Sequence, residues 1–219
     1  MRQSPRCICA LGAVVLTVAS AACAGSRHTT RSRGAHPPPK QTTTLSTVEA
    51  SDPALSSALL ALMAMPSAAS ERRVADRYYA LGILDMASDH YSRAVSLDRA
   101  DAPSYEGLAR IWRDWGFARM GLADASRAVF YAPQSAAAHN TLGTLLAASG
   151  YRHEARQEYE RALTIDPRAA YALNNLCRLS LAEGNAWQAF AECSAALAID
   201  PSLEAAHMNL GRAAAAVFP

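Results

Sequence analysis

The sequence predicts an all-α fold, an α-solenoid in which antiparallel helix hairpins stack side by side. Three observations point there. Glycine recurs at Gly82, Gly116, Gly150 and Gly184, a constant step of 34 residues. Proline closes the later copies at the same step, as Pro133, Pro167 and Pro201. Between these marks two columns stay small, Ala94, Ala128, Ala162 and Ala196 in one and Ala87, Gly121, Ala155 and Ala189 in the other, while Val74, Leu108, Leu142, Leu176 and Leu210 form an aliphatic column. Antiparallel helices approach closely only where their facing side chains are small. The glycine ends a first helix by taking a left-handed backbone, and the Asp-Pro pair stops the second. A single hairpin of this kind cannot bury its own apolar face, so neighbours must supply the rest of the core.

In chain order, Met1 to Ala22 carries Arg2 and Arg6, then an apolar run from Cys7 to Ala19, then small residues. That is the pattern of a bacterial secretory signal, too short to span a membrane. Its ending, Ser20 to Cys23, resembles a lipobox, in which Cys23 is the lipid attachment site and the membrane partner is reached through a lipid anchor. Ser20 stands where a leucine is usual, and cleavage after Ala19-Ser20-Ala21 is the alternative. Residues 23–51 are rich in Ser, Thr, Pro and Arg, and their few aliphatic residues cannot offset the entropy of ordering, so they are expected to be a disordered tether. Arg27, Arg31, Arg33 and Lys40 belong to it as solvated charges, without the interleaved aromatics of a nucleic-acid site.

Residues 52–67 follow, with Asp52-Pro53 opening a helix to Met65 and Pro66 stopping it. Ala54, Ala58 and Ala61 match the small columns with one residue of slack, which makes this helix the second half of a degenerate repeat. It reads equally as a plain N-terminal helix with Leu55, Leu59 and Leu62 on its apolar face. Four full repeats are expected at 68–101, 102–135, 136–169 and 170–203, with a capping helix at 204–219.

Of the chain's 21 basic and 19 acidic residues, six and two precede Pro53, so from there on the charges still nearly cancel, at 15 against 17, and every basic residue after Lys40 is arginine. Such a balance argues against a dedicated nucleic-acid or anionic-lipid surface in the repeats. No HExxH, GxSxG, phosphate loop or CxxC occurs. His90, His139, His153 and His207 form no metal pair and are expected to pack. Glu154, Glu158 and Glu160 interleave with Arg152, Arg156 and Arg161 as a solvated face of i, i+4 pairs. The chain is therefore expected to be no enzyme, with no cofactor, metal or small-molecule substrate. Cys177 and Cys193 lie at positions 8 and 24 of their repeat, and residues whose positions sum to about 32 face each other across such a hairpin. A disulfide in an oxidising compartment and two small buried hydrophobes are both compatible with that placement.

Counting from Ala136 as position 1, Leu142 and Gly143 fall at 7 and 8, Gly150 at 15, Ala155 at 20, Tyr159 at 24, Ala162 at 27 and Pro167 at 32. This resembles the tetratricopeptide repeat (TPR), written W-x2-L-G-x2-Y, A-x3-F, P. The resemblance implies large apolar residues at positions 4, 7, 11 and 24 between hairpins, and a concave groove lined by first-helix positions 2, 5, 9, 12 and 13. Those positions hold Arg72, Asp76 and Tyr79 in the first repeat, and Glu106, Arg110, Arg113 and Asp114 in the second. The third offers Asn140 and Thr144 among alanines, the fourth Tyr171, Asn174 and Arg178, and the cap Met208 and Arg212. Asn175 and Asn209 sit beside the groove at position 6. Asparagine pairs with a backbone amide at both ends and arginine takes carboxylates bidentately, so the set suits an extended peptide or protein partner. The lysine-asparagine clamp of chaperone-tail binders is not reproduced, since Arg72 and Asp76 stand at those places. Specificity is expected in the arginine-rich second and asparagine-bearing fourth repeats. Trp112 is expected in the core and Trp115 beside the turn. With lipobox, tether and repeats, the chain is similar in outline to pilotin-type lipoproteins and to TPR lipoproteins of pilus assembly. A soluble periplasmic regulator of a cell-wall enzyme is the alternative.

Overall fold

The computed structural model describes residues 51–218. The expected secretory signal, Cys23 and all but the last residue of the expected tether lie outside the described residues. Ten helices follow in order: α1 Pro53–Ala64, α2 Ala68–Ala80, α3 Leu84–Leu97, α4 Ala102–Asp114, α5 Ala118–Tyr131, α6 Ala136–Ala148, α7 Arg152–Ile165, α8 Ala170–Ala182, α9 Ala186–Ile199 and α10 Glu204–Val217. No strand occurs among the described residues.

The pairs α2/α3, α4/α5, α6/α7 and α8/α9 are hairpins, each turning at a glycine with positive φ (73°, 81°, 93° and 79° at Gly82, Gly116, Gly150 and Gly184). A Cβ there would be strained, so the turn column tolerates little else. Side-chain oxygens of Asp52, Ser67 and Ser135 cap the starts of α1, α2 and α6. Asp52 accepts the Leu55 N–H at 2.8 Å, and Ser67 and Ser70 form a reciprocal capping box.

Small residues let the hairpins close. Ala87, Ala94, Ala155, Ala162, Ala189 and Ala196 are all 0% exposed. At Gly143 an added Cβ would lie 2.7 Å from the Tyr159 ring and 3.2 Å from the Ala155 carbonyl, so the α6/α7 crossing leaves no room for a methyl group. Cys177 and Cys193 are joined by a disulfide, with their Cα atoms 5.4 Å apart, between α8 and α9.

Three expectations are corrected. Position 4 is not uniformly apolar: Glu71 bonds His90 at 2.6 Å, and His139 bonds Glu158 at 2.6 Å and the Pro133 carbonyl at 3.1 Å. These polar contacts fill the hairpin interior because position 23, across the turn, supplies the complementary group. Consequently Glu158 is no member of a solvated i, i+4 face. Arg156 also leaves that face, reaching Ser180 at 3.1 Å and Glu183 at 2.8 Å on the next hairpin. Trp112 is half-buried rather than core. It meets Trp115 edge to face at 5.4 Å, and Trp115 packs on the first core cluster.

Candidate functional site

The first helices α2, α4, α6, α8 and α10 present one face in succession, because a step of 34 residues returns each position to its place. Position 5 of one helix bonds position 6 of the next three times over. Thr141 donates to Glu106 at 3.2 Å, Asn175 to Asn140 at 2.8 Å, and Asn209 to Asn174 at 3.0 Å. Asn175 thus spends amide capacity on Asn140, and Asn209 on Asn174, tying neighbouring helices together.

The N-terminal part of this face is occupied internally. Arg72 pairs with Asp101, whose carboxylate also accepts from the Ser104 hydroxyl. Asp76 accepts from Tyr91 at 2.6 Å. Tyr79 donates to Asp114 at 2.5 Å, Arg113 pairs with Asp114 at 2.7 Å, and Arg110 lies over the Tyr79 ring at 4.3 Å. Burial pushes the Tyr91 phenol and the Glu106 carboxyl above their ordinary pKa values, and the Asp76 hydrogen bond adds to the first. Arg72, Asp76 and Tyr79 are therefore structural links between helices. Tyr171, Met208 and Arg212 stay exposed at the other end.

Between these ends the face opens into a cleft of about 310 Å³, lined by Arg113, Thr144, Asn175 and Arg178, with Arg152 at its side and Ala147, Ala148, Leu179 and Ala182 as apolar walls. Arg113 keeps its pairing with Asp114. Neither Arg152 nor Arg178 pairs with a carboxylate among the described residues, and no carboxylate lines the cleft. The third repeat, which offers only Asn140 and Thr144 among alanines, makes the room: Ala147 and Ala148 are too short to fill it. Arg152 was missed because it opens a second helix. The available signal was its place directly after the Gly150-Tyr151 turn, which aims it back at the groove.

No group of three or more histidines, cysteines or carboxylates converges among the described residues, and none of their helices is long and apolar enough to cross a membrane.

A tetratricopeptide repeat family model matches residues 136–169, and no curated protein sequence matches the chain. Among solved structures, TTC0263, a thermophilic TPR protein in Thermus thermophilus, is similar at 21% identity and TM-score 0.65, over 80% of this chain and 94% of that one. YrrB, a TPR protein with an unusual peptide-binding site, is similar at 21% identity and TM-score 0.57, over 75% of this chain and 85% of that one. The first TPR of Spaghetti (RPAP3), bound to an HSP90 peptide, is similar at 23% identity and TM-score 0.51, over 53% of this chain and 92% of that one. At these identities the shared property is the fold, and the chain carries a tetratricopeptide repeat at 136–169 within a TPR fold.

Proposed function

We propose that the chain is a non-catalytic interaction module that holds an extended segment of a partner protein along its first-helix face, with an acidic side chain or chain terminus of that segment in the Arg113-Arg152-Arg178 cleft. The observation that carries this reading is the cleft itself: two arginines without carboxylate partners beside an apolar wall and the Asn175 amide. A guanidinium without a carboxylate partner favours an incoming carboxylate through paired, charge-assisted hydrogen bonds. The peptide-binding site of YrrB and the peptide bound to RPAP3 support a ligand of this class. Selection of random peptides displayed against the full chain tests it. Acidic residues should be enriched at a fixed place, and Arg178→Gln should abolish that enrichment; peptides without an acid, or an unchanged pool, would overturn the reading.

The setting is an exported, lipid-anchored protein of the bacterial envelope, serving assembly of a machine such as a pilus. Support comes from the secretory pattern, from Cys23 and from the Cys177–Cys193 bond, which suits an oxidising compartment. Palmitate should label the wild type and not Cys23→Ala. An unlabelled wild type removes the anchor and leaves the soluble periplasmic regulator, the reading favoured by Ser20 in place of leucine.

A further inference from the structure

Both ends of the stack break a rule that the internal hairpins keep. In the hairpins, the small columns at positions 20 and 27 are sealed by the first helix of the same repeat, as at Ala155 and Ala162, both 0% exposed. α1 carries the same columns as Ala54, Ala58 and Ala61, followed by Pro66 at the place of the closing prolines. Yet Ala54 and Ala61 are exposed. Together with Ser57 they line an open concavity of about 460 Å³ between α1 and α2. Among the described residues, α1 is a second helix with no first.

α10 is the converse. His207 and Gly211 stand at positions 4 and 8, where α6 has His139 and Gly143. The His207 Nε2 donates to the Pro201 carbonyl at 2.8 Å, as the His139 Nε2 does to Pro133 at 3.1 Å. In the third repeat α7 then closes over both residues, leaving His139 3% exposed with its Nδ1 on Glu158. At α10 nothing closes: His207 is exposed, and a Cβ built on Gly211 meets no atom within 4 Å.

We infer that α10 of one copy docks into the concavity beside α1 of a second copy, completing a hairpin and joining copies head to tail. The register follows from the internal hairpins. Positions 8 and 24 meet, as Cys177 and Cys193 do, which places Gly211 on Ala58. Position 23, where Glu158 meets His139, is Ser57 in α1, and its hydroxyl donates to the free Nδ1 of His207. The occupant is a second copy rather than the chain's own preceding segment. Residues 35–47, which hold the first-helix positions ahead of α1, contain Pro37, Pro38 and Pro39 and, after Ala35, Leu45 as their single aliphatic residue. Continuity with the stack already present also favours a copy, since α10 reproduces the first helix that α1 lacks. Because the two contacting surfaces differ, the contact leaves a free end on each copy and assembly stays open. This inference stands apart from the peptide groove, and either can fail alone.

Sedimentation of the full chain should show a weight-average mass that rises with concentration past the dimer. Gly211→Leu should abolish that rise without loss of helix signal, since the space at Gly211 is open within one chain. Oxidation of a mixture of Ala58→Cys and Gly211→Cys chains should link the two introduced thiols, identified by mass spectrometry of the joined peptides. Ala58→Cys mixed with Ala195→Cys, on the outer face, should not link. A monomer at every concentration, linkage no greater than this control, or linkage within a single doubly substituted chain would each overturn the inference.

Discussion

Reduction of the Cys177–Cys193 bond should loosen one end of the stack and leave the other untouched. The two cysteines are 16 residues apart, and closing a loop of that length removes about 3 kcal/mol of unfolded-state entropy. Both thiols remain fully buried among Ala189 and Ala213, so reduction exposes no polar group and leaves the packing in place. In a stack whose repeats contact only their neighbours, the loss stays near its origin. Amides of α8, α9 and α10 should therefore exchange on the order of 100-fold faster in the reduced chain. Those of α2 to α5 should keep their rates. Hydrogen exchange with mass detection, on oxidised and reduced full-length chain and on Cys177→Ala/Cys193→Ala, reads this directly. Equal protection in both states, or acceleration spread evenly from α2 to α9, would refute the reasoning.

Gly143→Val should destabilise by about 1–3 kcal/mol through overpacking against Tyr159, whereas Gly211→Ala, in open space, should gain up to about 1 kcal/mol of helix propensity; urea unfolding compares the two. Arg77 and the Leu55 N–H hold the Asp52 carboxyl at about 2, down from 3.8. A lowered carboxylate pKa contributes stability that is complete above the unfolded value and fades as pH falls toward 2, so pepsin should begin to cut the 52–67 segment between pH about 4 and about 2, and Asp52→Asn should remove that dependence. Burial raises the phenols of Tyr79, Tyr91, Tyr159 and Tyr171. The unfolded chain then releases its protons first, and stability should fall as pH rises above about 10, with tyrosinate absorbance lagging that of denatured chain.

The hairpin stack was legible because close helix crossing demands small residues at fixed places, and Ala155, Ala162 and Gly150 report it without tertiary knowledge. The opposition of Cys177 and Cys193 followed from the same geometry. What escaped was contact across hairpins. Arg156 and Glu158 are spaced for a solvated helix face, yet both turn to neighbouring helices, because i, i+4 spacing says nothing of what lies beyond the helix. Trp112 was placed by its column, but its ring meets Trp115 and stays half-buried. The cleft was hidden for a further reason: it is made by absence of bulk at Ala147 and Ala148, and such alanines read as blank until the flanking Arg113 and Arg178 are placed around them.

The central claim is that this cleft takes a carboxylate, and calorimetric titration of one selected acidic peptide tests it most directly. Arg178→Gln removes charge-assisted hydrogen bonds worth about 1.5–3 kcal/mol, so the peptide's Kd should rise by about tenfold or more, and an otherwise identical peptide with its acid amidated should bind both chains alike. Equal affinity of wild type and Arg178→Gln for the acidic peptide would contradict the account.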